Sequence, residues 1–175
     1  MKNIILTGFM GTGKTEVGRE LSHLLDLRLL DVDDEIEKAE GMSINDIFER
    51  FGEQRFRDIE TEMIRKAAGN TSVIISTGGG AVLKQENMDI LRKNGIIFCL
   101  TASPETILQR TSDNSERPLL RTGDPLKKIN ELLCFRKPYY EKADFMVHTE
   151  GKSPLQIAEE IVEKVMRKKS GKDQS

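Results

Sequence analysis

Cysteine is scarce in this chain: two residues in 175, Cys99 and Cys134, far apart and with no CxxC or Cys/His spacing around either. That excludes a zinc site and a disulfide framework, and leaves two buried free thiols as the expectation. Long apolar runs are missing too. The first, over residues 4–6, is too short for the hydrophobic region of a signal peptide, and no later stretch is long enough to span a bilayer. A cytoplasmic protein with no membrane partner is expected. The third absence is an excess of one charge sign, since 27 Lys and Arg stand against 29 Asp and Glu for a net charge of -2. No global field draws such a chain to nucleic acid or anionic lipid, so any anion site has to be built locally. No internal repeat is present.

What is present suits one soluble α/β domain, with 37% hydrophobic and 32% charged residues. Short runs rich in Ile and Val, at 3–7, 28–31, 72–76, 96–100 and 145–148, alternate with longer helical patterns. The alternation predicts a five-stranded parallel sheet with helices on both faces, and four of the five runs are continuously apolar, as doubly buried strands should be. Val17, Leu21, Leu24 and Leu25 form one stripe of a helix directly after the first strand. Ser43 and Asp46 read as a capping box for a short helix ending at Gly52, followed by a charged helix over 53–68 that Gly69 closes. Ser103-Pro104 and Ser153-Pro154 each start a helix. Residues 111–124 are polar and aperiodic, which predicts a mobile lid. The domain is expected to end near residue 168, with 169–175 as a flexible tail.

Gly8-Phe-Met-Gly-Thr-Gly-Lys-Thr15 fits GxxxxGK[ST], between a strand and a helix as a P-loop NTPase fold requires. Gly11, Thr12 and Gly13 let backbone N–H groups face phosphate oxygens at a helix N-terminus. Lys14 is positioned for the β- and γ-phosphates of ATP, and the Thr15 hydroxyl for Mg²⁺. Many such proteins add an Asp after an apolar strand, but the third strand here runs into Gly78-Gly-Gly80. The acids near the sheet's carboxyl edge are instead Asp31 and Asp33. In an extended segment these two would share a side, with Asp31 holding the metal through water and Asp33 taking the acceptor's proton. The alternative is a helix N-terminus stocked with acids to suit the dipole.

Arg57 and Arg136 lie in segments that should flank the same edge, where a rigid guanidinium fork would grip a carboxylate. Glu60, one turn after Arg57, is positioned to orient it, and Gly79 and Gly80 allow a small anionic polyol to approach the backbone. Alone, each arginine reads as a solvated residue, and Phe48, Phe51 and Phe56 read as core. His23 and His148 have no partners that point to chemistry.

The P-loop, Asp31-Val-Asp33, Ile47-Phe48 with Gly52-Glu53, Phe56-Arg-Asp-Ile-Glu60, Gly78-Gly-Gly80, Arg117-Pro-Leu-Leu120 and Arg136-Lys-Pro-Tyr-Tyr140 occur in order. Together they resemble the shikimate kinases, from Met1 to about Val165. The resemblance implies a fold similar to the nucleoside monophosphate kinases, with a substrate-binding excursion over about 32–61. It also implies ATP-dependent phosphorylation of the 3-hydroxyl of shikimate, in the route to aromatic amino acids. By the same resemblance Asp33, Arg57, Gly79, Gly80 and Arg136 hold shikimate, and Arg117 swings in on the lid. Arg110 and Pro154 flank the adenine ring. Lys14, Asp33 and Arg117 are then the catalytic residues, and Thr15 and Asp31 the metal-binding pair. A gluconate kinase, a nucleoside monophosphate kinase and a non-catalytic nucleotide sensor are the rival readings. No interface stripe stands out, and a monomer is expected.

Overall fold

The computed structural model describes residues 1–112 and 123–170, with side chains through Lys168. Five strands form one sheet: β1 (Asn3–Gly8), β2 (Leu29–Asp31), β3 (Ile74–Ser76), β4 (Gly95–Thr101) and β5 (Phe145–His148). Their order is β2-β3-β1-β4-β5, and every pairing is parallel. Neighbouring residues along a strand point to opposite faces, so continuously apolar runs feed two cores at once. Ile5, Ile75, Ile97 and Cys99 pack on one face, while Ile4, Leu6, Ile74, Ile96 and Phe98 pack on the other. Each fully buried Ile contributes about 1.5–3 kcal/mol relative to exposure.

Among the described residues, seven α-helices cover the sheet: α1 (Lys14–Leu25), α2 (Val32–Glu40), α3 (Ile44–Ala68), α4 (Gln85–Asn94), α5 (Pro104–Thr111), α6 (Pro125–Tyr140) and α7 (Pro154–Ser170). Val17 and Leu21 of α1 and Ile157, Ala158 and Ile161 of α7 close one core. Ile47, Phe56, Ile59 and Ile64 of α3, with Met88 and Leu91 of α4, close the other. The caps expected at Ser43 and Ser103 are made: each side chain accepts from the backbone N–H three residues on. Gly52 (φ 81°, ψ 170°) breaks α3 into the two expected helices. α7 continues through Ser170, two residues past the expected end of the domain, and Lys168 is tied to Asp144 at 2.8 Å.

Three expectations need correction. The segment after Asp31 is helical, not extended: Val32, Ile36 and Ala39 give α2 a short apolar stripe, outnumbered by five acids. α4 was not anticipated, because Lys84 stands at its N-cap without a side-chain cap bond and so leaves no boundary signal. Of the two cysteines, Cys99 is buried in β4 but Cys134 is exposed on α6.

The topology fixes where a ligand can lie. β2 and β3 run to one side of β1, β4 and β5 to the other, so the chain's direction of winding switches between β3 and β1. Leu6 and Asp31 both pair with Ser76, which brings the ends of β1, β2 and β3 to one level. The three loops that follow those strands open together.

Candidate active site

A cleft of about 1060 Å³ opens at this switch point, walled by the loop after β1, the start of α2, the first half of α3 and the turn after β3. The loop after β1 is shaped by its glycines. Gly8 sits at φ 132°, and a Cβ there would collide with the Leu100 carbonyl oxygen. Gly13 (φ 91°) turns the chain into α1, whose first N–H groups lack helical acceptors and face the cleft. Thr12 is buried and locks the loop by donating to the Phe9 carbonyl at 2.7 Å. Lys14 folds back over the loop, donating to the carbonyls of Gly8 at 2.9 Å and Phe9 at 3.0 Å.

Asp31 and Thr15 meet across the cleft floor, the hydroxyl 3.5 Å from Asp31 Oδ2. The other oxygen of Asp31 caps α2, accepting from the Asp33 N–H at 3.1 Å. Asp31 and Asp33 therefore do face the same cleft, but through a helix cap and first turn and not through strand alternation. The dipole reading and the functional reading are compatible here, since one carboxylate has two oxygens. Asp33 Oδ1 is buried with no partner among the described residues. Burial, with Asp31 and Glu60 nearby, pushes the Asp33 carboxyl up to about 7, against the opposing pull of Lys14. A carboxyl balanced at that value can take a proton near neutral pH.

Glycines 78–80 form the opposite wall. A Cβ on Gly80 would lie 2.5 Å from Arg57 Nη2, and one on Gly79 would lie 3.5 Å from Arg136 Nη1. Both guanidinium groups thus pack on bare backbone. Arg57 is held at 2.8 Å by Glu60, which is 1% exposed, as the helical spacing predicts. Burial raises the Glu60 carboxyl above its ordinary value, while Arg57 draws it back down. Arg136 is 7% exposed and stacks over the Phe9 ring at 5.3 Å, with its Nε buried and unpartnered. Two cations and one carboxyl on a glycine wall form a receptor for a small anion bearing hydroxyls.

The remaining expected residues divide. Arg110 lines the cleft and bridges the Gly11 carbonyl at 3.3 Å to the Thr149 hydroxyl at 3.1 Å. Pro154 opens α7 on the surface and is not part of the cleft wall. Arg117 and most of the expected lid lie outside the described residues. Phe56 is core, but Phe51 is 55% exposed and Phe48 lines the cleft, because the half-helix before Gly52 presents only one buried face. Sequence reasoning gave no role to Tyr140, whose hydroxyl donates to the Gly79 carbonyl at 2.8 Å. Its spacing of four from Arg136 was the available signal.

A phosphate-cradling loop on a parallel sheet, next to a cationic acceptor wall with an embedded carboxyl, defines a P-loop kinase of small molecules. The family model described as shikimate kinase matches residues 10–166. A shikimate kinase of Thermodesulfovibrio yellowstonii is 51% identical, covering 98% of this chain and 99% of its own length. One from Caldicellulosiruptor bescii is 46% identical, over 97% and 99%. A solved Acinetobacter baumannii shikimate kinase in complex with shikimate superposes with a TM-score of 0.93 at 37% identity, covering 97% of this chain and 95% of that one. The chain belongs to the shikimate kinase family. A gluconokinase of Sinorhizobium meliloti, at 16% identity and a TM-score of 0.62, shares the fold alone.

Proposed function

We propose that this chain transfers the γ-phosphoryl group of ATP to the 3-hydroxyl of shikimate, giving shikimate 3-phosphate on the route to aromatic amino acids. The observation that carries the reading is the convergence of Asp33, Arg57 and Arg136 on one cleft beside the phosphate loop. Arg57 and Arg136 grip the shikimate carboxylate, and the Gly79–Gly80 backbone lets the ring approach closely. Asp33, whose Oδ1 lacks a partner in the cleft wall, accepts the proton of the attacking hydroxyl. Lys14 exchanges its loop carbonyls for phosphate oxygens, a preformed charge where negative charge moves during transfer. Arg110, which lines the cleft beside the phosphate loop, flanks adenine.

Mg²⁺ fits the donors present. Asp31 Oδ2 and the Thr15 hydroxyl are hard oxygens at the cleft floor, and no cluster of three or more acidic, His or Cys residues that could hold a metal alone occurs among the described residues. That donor set suits an ion held mostly by phosphates and water. Thr15 and Asp31 would hold it, and it would supply charge neutralisation at the transferring phosphates.

Product analysis tests the reading. Phosphorus–proton NMR of the reaction mixture should locate the new phosphate on the 3-oxygen; release of inorganic phosphate alone would contradict it. Gly80→Ala provides a second check. The φ of -95° at Gly80 accepts alanine, so the new methyl displaces the Arg57 guanidinium and leaves the fold intact. The expected outcome is a KM for shikimate raised by about tenfold or more, with the thermal midpoint nearly unchanged.

A further inference from the structure

Tyr140 is buried, its hydroxyl touches the cleft wall, and the proposed reaction gives it no role. It ends α6, one turn after Arg136, and is 5% exposed. Its hydroxyl donates to the Gly79 carbonyl oxygen at 2.8 Å, bridging α6 to the turn after β3. The Arg136 guanidinium lies near the same hydroxyl and pulls its titration downward, and any bond between them must have Arg136 as the donor, because a guanidinium offers no acceptor. Two groups read as holding the acceptor therefore lie against one phenol, the Gly79 carbonyl by a hydrogen bond and Arg136 by its charge.

Peptide geometry extends the consequence to a third group. The described residues contain no cis peptide bond. In a trans peptide the carbonyl and the following N–H point in opposite directions. A Gly79 carbonyl held toward Tyr140 thus turns the Gly80 N–H away from Tyr140, and that N–H takes no part in the backbone hydrogen bonds of the turn. Gly79 and Gly80 both line the cleft and have no side chains to restrain their torsions, so a tether from outside the turn decides their orientation. Arg136 has the same need. Its Nε is buried without a partner, and the Phe9 face beneath it is a non-directional contact.

We propose that Tyr140 is a positioning residue for the acceptor: its hydroxyl locks the Gly79–Gly80 peptide and the Arg136 guanidinium into one geometry without touching the ligand. The inference rests on reading this cleft as the shikimate site. A phenol suits the task, because burial pushes it up to about 12 despite the pull of Arg136, and it stays a donor across the neutral range.

Tyr140→Phe removes the hydroxyl and keeps the ring, so the core packing survives. The expected result is a KM for shikimate raised about tenfold, as the groups that hold the acceptor lose their alignment, with kcat and the KM for ATP within about twofold. Adding Arg136→Ala should shrink the effect of Tyr140→Phe, because one of the two positioned groups is then gone. Arg136→Ala alone separates the two readings. If it raises the KM for shikimate while Tyr140→Phe does not, the positioning role is wrong and the site reading stands. If neither moves it, the site reading itself fails. A fall in kcat or a parallel rise in both KM values, with a lowered thermal midpoint, would mark Tyr140 as merely structural and overturn the proposal.

Discussion

Asp33→Asn is expected to slow phosphoryl transfer by about two to four orders of magnitude, the usual worth of a positioned general base, while the affinity for ATP stays nearly unchanged. The amide keeps the shape but cannot accept the hydroxyl proton. The pH profile follows from the same carboxyl. Titrating near 7, Asp33 should make kcat/KM for shikimate fall as pH drops below that value, approaching tenfold per unit. Stability should move the other way. Folding raises this acid from 3.8 to about 7, so the fold is penalised above pH 7, where the cleft must hold the charge. The penalty fades as pH falls through 7 toward 4. Asp33→Asn removes it, so the variant should be more stable than the parent at pH 8 by about 1–3 kcal/mol, and the gap should close by pH 4. Thermal unfolding at the two pH values checks this. Unchanged turnover would remove Asp33 from the mechanism.

Arg57→Ala should be the most damaging change to acceptor binding, because it acts twice. It removes a fork from the carboxylate, raising the KM for shikimate by about a hundredfold or more. It also strands Glu60, which is 1% exposed and paired to Arg57 at 2.8 Å. Breaking a buried pair from one side costs about 3 kcal/mol or more near neutral pH. Protonation relieves the stranded carboxyl, so the loss of stability should lessen as pH falls. The double variant Arg57→Ala/Glu60→Gln separates the roles. Stability should recover, because no uncompensated charge remains, but shikimate binding should not. Recovery of both would mean that Arg57 serves the fold and not the ligand; measured KM values and unfolding midpoints decide.

Where the sequence was legible, the reasons are local. Continuously apolar strands, a glycine loop between strand and helix, and Ser-Pro caps each leave a pattern that does not depend on distant partners. Arg57 and Glu60 were readable as a pair because helical spacing alone brings them together. Asp31 and Asp33 were assigned to the right cleft on the wrong local geometry. The apolar stripe of α2 is only Val32, Ile36 and Ala39 among five acids, and the cap bond from the Asp33 N–H to Asp31 becomes apparent only in three dimensions. The Tyr140 bond to Gly79 spans 61 residues, and no periodicity encodes such a contact. Phe48 and Phe51 were misread as core because hydrophobicity says nothing about which side of a broken helix faces a cleft.

The central claim is that the Asp33, Arg57 and Arg136 wall selects a carboxylate bearing hydroxyls. The most direct test is ADP release at fixed ATP and Mg²⁺ with shikimate, gluconate and AMP as competing acceptors. Turnover should be confined to shikimate, with gluconate and AMP near the rate seen with no acceptor. Turnover with gluconate or AMP and none with shikimate would contradict the assignment.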